Sequence, residues 1–327
     1  MSGPPLTPVV DEGLGNSAYL LDLGDGRALA VDPPRDLRAL RAATRRAGLK
    51  VAYAADTHLH ADFLSGARQL AADDGARILA SAAGHRAFDH LGLRDGDEVD
   101  LDGLTLRALA TPGHTDEHLS FLLLDGAAPV GVFTGGSLIV GSAARTDLLG
   151  ADRTEELARA QYASLHRLAA LPDAIAVWPT HGAGSFCSAP PGTTRTSSIG
   201  REKATNPLLT APDADTFVGQ LLSGLGSYPR YFSWLAEINR NGPDLVTTEP
   251  TLAALDVQAV RRLVADGAVV LDVRPVADIA AGHLPGAIAI PLRAQFATWL
   301  GWLDDPTSRS SSSATPTSTR PTSSGPR

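Results

Sequence analysis

One cysteine in 327 residues rules out an internal disulfide framework and fits a reducing compartment. Basic residues are also scarce. The chain has 28 Lys and Arg against 36 Asp and Glu, and the resulting net charge of -8 provides no basic footprint for nucleic acid. No uninterrupted apolar stretch is long enough to span a bilayer. The start, Met1-Ser2-Gly3-Pro4-Pro5, lacks the basic segment and apolar core of a secretory signal. What is present is 43% hydrophobic with a mean hydropathy of -0.01, the make-up of a globular protein expected in the cytoplasm without a membrane partner. At 34.0 kDa it can hold one large core and a smaller partner domain.

The first half alternates short apolar runs with helical spacing. Ala18 to Leu23 and Ala28 to Val31 read as neighbouring strands joined by the turn Gly24-Asp25-Gly26, and Val51 to Ala55 as a buried strand. Asp36 to Ala47 has the spacing of an amphipathic helix that stops at Gly48. Further strands are expected at Ile78-Leu79, Leu104 to Leu109, Leu119 to Leu124, Val130 to Phe133 and Ile175 to Trp178, with a helix from Arg153 to Leu171. This interleaving predicts an α/β architecture with helices covering sheet faces. A polar loop from Pro190 to Ile199 leads to helical segments around Phe217 to Leu225 and Tyr231 to Asn239. After Asn241-Gly242-Pro243 a separate small unit is expected, with a helix over Val257 to Ala265, a strand at Val269-Val270-Leu271 and another leading out of Gly282 to Pro291. From Pro306 the chain is almost wholly Ser, Thr, Pro and Arg, which predicts a disordered tail over 306–327.

The candidate chemistry lies where strands end. Thr57-His58-Leu59-His60-Ala61-Asp62-Phe63 follows the run Val51 to Ala55, so two imidazoles and a carboxylate sit at a strand exit. His114, in Thr111-Pro112-Gly113-His114-Thr115, follows Leu104 to Leu109; His181, in Pro179-Thr180-His181-Gly182, follows Ile175 to Trp178. A lone histidine after a strand more often caps or hydrogen-bonds than ligates. Three such exits in order favour metal ligation by His58, His60, Asp62, His114 and His181, with donor types that suit zinc and iron. His85, His90, His118, His166 and His283 lack such company and are assigned surface or structural roles.

These segments, together with Phe133-Thr134-Gly135-Gly136-Ser137-Leu138 and Arg145-Thr146-Asp147-Leu148, resemble the ordered motifs of the metallo-β-lactamase fold superfamily. The branch with persulfide dioxygenases and glyoxalase II-like hydrolases is the most similar, over residues 8–245. Thr180 to Cys187 and Ser197 to Glu202 resemble the subgroup fused to rhodanese-like modules. The resemblance implies a four-layer αβ/βα sandwich with a metal site along the sheet edge. Leu271-Asp272-Val273-Arg274-Pro275 and Ala281 to Ile288 resemble the first half of a rhodanese domain, which makes 250–305 a partial unit without the loop cysteine that sulfur transfer needs. A truncation or altered reading frame near Pro306 is expected on this basis.

The family pattern breaks at two positions. The resemblance implies iron held by His58, by His114 and by an aspartate at position 136, which here is Gly136. A second ion would need a histidine where this chain has Phe63, although Asp62 and His181 remain. A binuclear zinc hydrolase is thereby disfavoured, and an open mononuclear site is expected. Gly135-Gly136 reads alternatively as a tight turn in a relic site, with the functional metal site the favoured of the two. Cys187, just after His181, is either a buried small hydrophobe or a sulfur carrier at the mouth of the site. The expected activity is oxidation of a low-molecular-weight persulfide with Fe(II). The alternatives are hydrolysis of a hydroxyacylglutathione-type thioester with Zn(II), or sulfane-sulfur binding without catalysis; a homo-oligomer stays open.

Overall fold

The computed structural model describes residues 4–187, 194–248 and 251–303, so the expected tail over 306–327 lies outside the described residues. The chain divides into two units, Met1–Leu245 and Val246–Arg327. In the first, six strands run in sheet order: β1 (Leu6–Asp11), β2 (Asn16–Asp22), β3 (Arg27–Val31), β4 (Lys50–Ala55), β5 (Arg77–Ser81) and β6 (Leu91–Leu93). A second six-stranded sheet is formed by β7 (Glu98–Asp100), β8 (Leu104–Ala110), β9 (Leu119–Asp125), β10 (Ala128–Gly135), β11 (Ala176–Pro179) and β12 (Ser197–Ser198), ordered from β12 back to β7. The helices of this unit are α1 (Arg38–Ala47), α2 (Ala67–Asp74), α3 (Thr154–Ala169), α4 (Ile199–Thr205), α5 (Ala214–Ser223) and α6 (Phe232–Asn241).

Strand alternation builds the layers. Successive side chains of a strand point to opposite faces. Leu119, Phe121 and Leu123 of β9 therefore join Tyr19, Leu21, Leu29 and Val31 in the core between the sheets. Leu122 and Leu124 face the other way, onto Ala158, Leu165 and Leu168 of α3 and Phe217 of α5. On the first sheet, Leu20, Ala28 and Ala30 pack against Leu40 and Ala43 of α1 and Leu70 of α2. Two sheets faced by helices outside and by each other inside form the four-layer sandwich. The turn Gly24-Asp25-Gly26 joins β2 to β3 as the sequence predicts, with both glycines at positive φ. Gly48 ends α1 at φ +67, the left-handed position that closes a helix.

The second unit holds α7 (Val257–Ala265), β13 (Leu271–Asp272), α8 (Val276–Ala281), β14 (Ile288–Ala289) and α9 (Phe296–Leu303). The two strands pair in parallel, and the Asp256 carboxylate caps α7 by accepting from the Ala259 N–H at 2.7 Å. The sequence predicts no element at β1 or α2, and the shortest strands also escape it. β6, β7 and β12 have two or three residues each, too few to show an alternation, and α4 begins inside the stretch read as a polar loop.

One helix side chain reaches back to the histidine segment. Asn239 of α6 donates from Nδ2 to the carbonyls of His60 at 2.7 Å and Phe63 at 2.9 Å, while its Oδ1 accepts from the Ser65 N–H at 2.8 Å. Replacing Asn239 by Ala strands three buried backbone groups, which should lower unfolding stability by about 2 kcal/mol or more. Urea melts, with amide exchange at Ser65 accelerated in the variant, check this; unchanged stability would show that the clamp carries no energy.

Candidate metal centre

The cluster forms where β3, β4, β8, β10 and β11 end on one edge of the sandwich. His58 and His60 follow β4, His114 follows β8, Gly136 follows β10 and His181 follows β11. All four histidines are buried to 1% exposure or less. His58, His60 and His181 each place a ligand-type atom within 4.8 Å of the other two, as do His114, His181 and Cys187. The Nε2 atoms of His58 and His181 are 3.4 Å apart. Two nitrogens bound at about 2.0–2.1 Å to one tetrahedral ion stand about 3.3 Å apart, so this spacing fits a shared ion.

Hydrogen bonds decide which ring nitrogen of each histidine is open. The Thr57 hydroxyl donates to Asp32 Oδ2 at 2.8 Å, so the nearby His58 Nδ1, at 2.9 Å, donates to the Thr57 oxygen and leaves Nε2 open. His114 donates from Nδ1 to the Arg145 carbonyl at 2.6 Å, and His181 from Nδ1 to Asn16 Oδ1 at 3.0 Å, again leaving Nε2. His60 is the reverse: Nε2 donates to Asp32 Oδ1 at 3.1 Å, and the buried Nδ1 has no partner. Ring orientation by an acceptor behind the ligand is how metal-binding histidines are usually held.

Asp62 is placed differently from the histidines. Its Oδ2 accepts from Asn16 Nδ2 at 2.7 Å and lies 3.5 Å from His181 Nδ1, so it supports His181 from behind. Its Oδ1 is buried without a partner. Two orphaned polar atoms beside the converging imidazoles fit a divalent ion, because burying such groups unpaired is costly. The residues present therefore fit a metal.

Position 136 is closed to a side chain. A Cβ on Gly136 would fall 2.4 Å from His114 Cδ2 and 3.1 Å from Ala144 Cβ. The space of the expected carboxylate is taken by the His114 ring, so more than a turn requirement keeps this residue small. Gly135 sits at φ +54, and the Gly136 N–H donates to His118 Nε2 at 3.0 Å. His118 is thus buried and stacked on His58 at 4.9 Å, with a hydrogen-bonded structural role, as its sequence context suggested. Phe63 stacks on the His60 ring at 4.1 Å, filling the place of the absent histidine ligand with an aromatic wall.

Cys187 is buried rather than set at a mouth. It packs with Ala61, Ala144 and Phe232, and burial together with the Asp62 charge pushes its thiol well up. Sequence reading missed Asp32, Asn16, Asp56 and Asn239. Asp56 accepts from Ser65 Oγ at 2.8 Å and pairs with Arg86, whose Nη2 in turn donates to the His58 carbonyl at 3.3 Å. Asp32 follows β3 directly, so a carboxylate at another strand exit was the available signal; Asn16 and Asn239 gave none. An open cleft of about 440 Å³, lined in part by His85, Arg94, Asp116 and Glu117, borders the cluster through His118.

The site's layout defines a class first: an α/β four-layer sandwich with a buried histidine cluster, fit to hold a metal, hung from its strand ends. No family model matches the chain. A crystal structure of a metallo-β-lactamase from Staphylococcus aureus subsp. aureus COL superposes with a TM-score of 0.81 at 30% identity, covering 93% of this chain and 89% of that one. The chain belongs to the metallo-β-lactamase fold superfamily. Coverage of 93% exceeds what the first unit alone contains, so the solved chain also has a counterpart to part of the second. The human mitochondrial persulfide dioxygenase ETHE1 is 29% identical over 201 residues, 59% of this chain and 70% of that protein. A hydroxyacylglutathione hydrolase of Methylococcus capsulatus is 33% identical over 178 residues, 53% of this chain and 64% of that protein.

Burial sets the protonation of the free site. Desolvation, with the neighbouring imidazoles adding to it, lowers His114 and His181 to about 3 and takes His58 well below its usual value. For His60 burial also lowers, but the Asp32 carboxylate outweighs it and the net shift is upward. Three depressed histidines bind fewer protons folded than unfolded, so their stability is present above about pH 6.5 and is lost as pH falls toward about 3. His60 contributes in the opposite sense. The net expectation is a falling urea midpoint for metal-free protein between about pH 6.5 and 4; a rising midpoint would contradict the neutral cluster. Gly136→Ala should cost about 1–3 kcal/mol through overlap with His114, read by thermal melts, and an unperturbed melt would show room for a ligand there.

Proposed function

We propose that the cluster holds a single metal ion, most readily Fe(II), and that the protein oxidises a low-molecular-weight persulfide with dioxygen. One observation carries this reading: four buried imidazoles, each tied through one nitrogen, fall into two close ligand-type trios that share His181, with His60 Nδ1 unpartnered. Bound there, the ion would supply a Lewis-acid and redox centre for persulfide and oxygen. His58, His60, His114 and His181 are the ligands from which it would be held, with Asp62 behind His181. The losses at 63 and 136 weigh against a second ion and hence against a binuclear hydrolase. Likeness to the human persulfide dioxygenase over 201 residues supports the substrate class.

The chain's own groups position and exclude. Asp32, Asn16 and the Arg145 carbonyl fix the imidazole tautomers, and Phe63 keeps water from its side of His60. Zn(II)-dependent thioester hydrolysis is the second reading, favoured by the likeness to the Methylococcus hydrolase. The second unit is read as part of a rhodanese-like module; no cysteine lies in it, so sulfur transfer is not assigned there.

Anaerobically prepared, iron-loaded protein given glutathione persulfide should consume oxygen, and His58→Ala or His114→Ala should lose this activity while keeping the far-ultraviolet spectrum of the wild type. Oxygen uptake at wild-type rate in both variants would remove the assigned site. Thioester cleavage without oxygen uptake would move the assignment to the hydrolase.

A further inference from the structure

We infer that Cys187 is a metal ligand of this chain, its thiolate replacing the anionic ligand lost at Gly136. The inference rests on the metal-centre reading above and adds a donor that neither the strand-exit motifs nor the expected ligand set contains. Cys187 Sγ lies within 4.8 Å of ligand nitrogens of both His114 and His181, and all three side chains are buried. For His114 and His181 the open nitrogen is Nε2, because Nδ1 is spent on the Arg145 carbonyl and on Asn16.

The backbone of a single residue ties two of these ligands together. The Arg145 N–H donates to the Cys187 carbonyl at 3.3 Å, and the Arg145 carbonyl accepts from His114 Nδ1. Arg145 is itself fixed: its guanidinium donates to the carbonyls of Phe186 at 3.0 Å and Gly226 at 2.8 Å, pairs with Asp147 and lies over the Tyr228 ring at 4.2 Å. Cys187 is further held by its N–H, which donates to Ser185 Oγ at 3.2 Å. A second observation points to a ligand independently of the cysteine. His60 Nδ1 and Asp62 Oδ1, both buried and both without a partner, sit on residues that adjoin His181, the histidine shared with the Cys187 trio.

Charge supplies the reason for a thiolate. With glycine at 136, four neutral imidazoles would leave Asp62, one oxygen of which is spent on Asn16, as the one carboxylate available beside His181. Binding at Cys187 breaks the S–H bond, releases the proton to solvent and forms the sulfur–metal bond with no change of oxidation state. A nitrogen and sulfur set selects borderline and soft ions such as zinc, iron or cobalt over magnesium, calcium or manganese. A thiolate committed to the ion is also unavailable as a sulfane-sulfur carrier.

Cobalt(II) titrated into metal-stripped full-length protein, with a non-thiol reductant, reads this directly. The expected result is a near-ultraviolet sulfur-to-cobalt charge-transfer band together with visible d–d bands, and release of the thiol proton in a weakly buffered sample. Cys187→Ser should lose the charge-transfer band, keep d–d bands and bind at least about tenfold more weakly. Visible bands without a charge-transfer band in the wild type would overturn the cysteine ligand and leave the histidine site standing. Absence of any cobalt spectrum would overturn both. Because the wild-type spectrum decides alone, a variant that fails to fold does not rescue the inference.

Discussion

Four hydrogen-bond donors converge on the Asp32 carboxylate: the Thr57 N–H at 2.7 Å, the Thr57 hydroxyl, His60 Nε2 and the Thr180 hydroxyl. These donors come from the exits of β4 and β11, and Asp32 itself from the exit of β3, at a backbone φ of +50. The neighbouring His60 charge and these donors overcome the cost of burial and hold the carboxyl down to about 2. An ionised carboxylate without such partners could not stay inside a core. Remove Asp32 and His60 loses its acceptor, Thr57 no longer has a reason to present its oxygen to His58, and the Thr180 hydroxyl loses its partner. The tautomers of His58 and His60 therefore follow from one buried anion, while those of His114 and His181 are set by the Arg145 carbonyl and Asn16.

Around that anchor the chain has changed the usual furniture without dismantling the site. Phe63, where the resemblance implies a histidine, stacks its ring on His60, and Gly136 gives its space to His114. Both changes occur with the remaining imidazoles buried, oriented and hydrogen-bonded. A relic would be free to fill its orphaned polar atoms with apolar packing, yet His60 Nδ1 and Asp62 Oδ1 remain. These two positions together are the ground for proposing one ion rather than two.

Much of this was legible in the sequence because strands announce themselves through their apolar runs and the candidate ligands stand immediately after them. β4, β8 and β11 were read within a residue or two, and with them His58, His60, His114 and His181. What escaped is held by contacts between distant residues. Asn16 meets His181 and Asp62, and Asn239 meets His60 and Ser65, across separations that no local pattern encodes. An asparagine in mid-helix or at a strand start has no distinguishing signature. The steric reason for Gly136 was equally invisible, since it depends on where the His114 ring lies. The second unit was legible as a helix and two short strands, whereas α8 and α9 were not foreseen.

The central claim is that this edge of the sandwich binds one ion through converging imidazoles. Metal analysis of anaerobically purified and reconstituted protein tests it most directly. The account predicts about one iron, or one zinc in its place, per chain, lost on replacing His58 or His181. Two tightly bound ions per chain, or none after reconstitution, would contradict it.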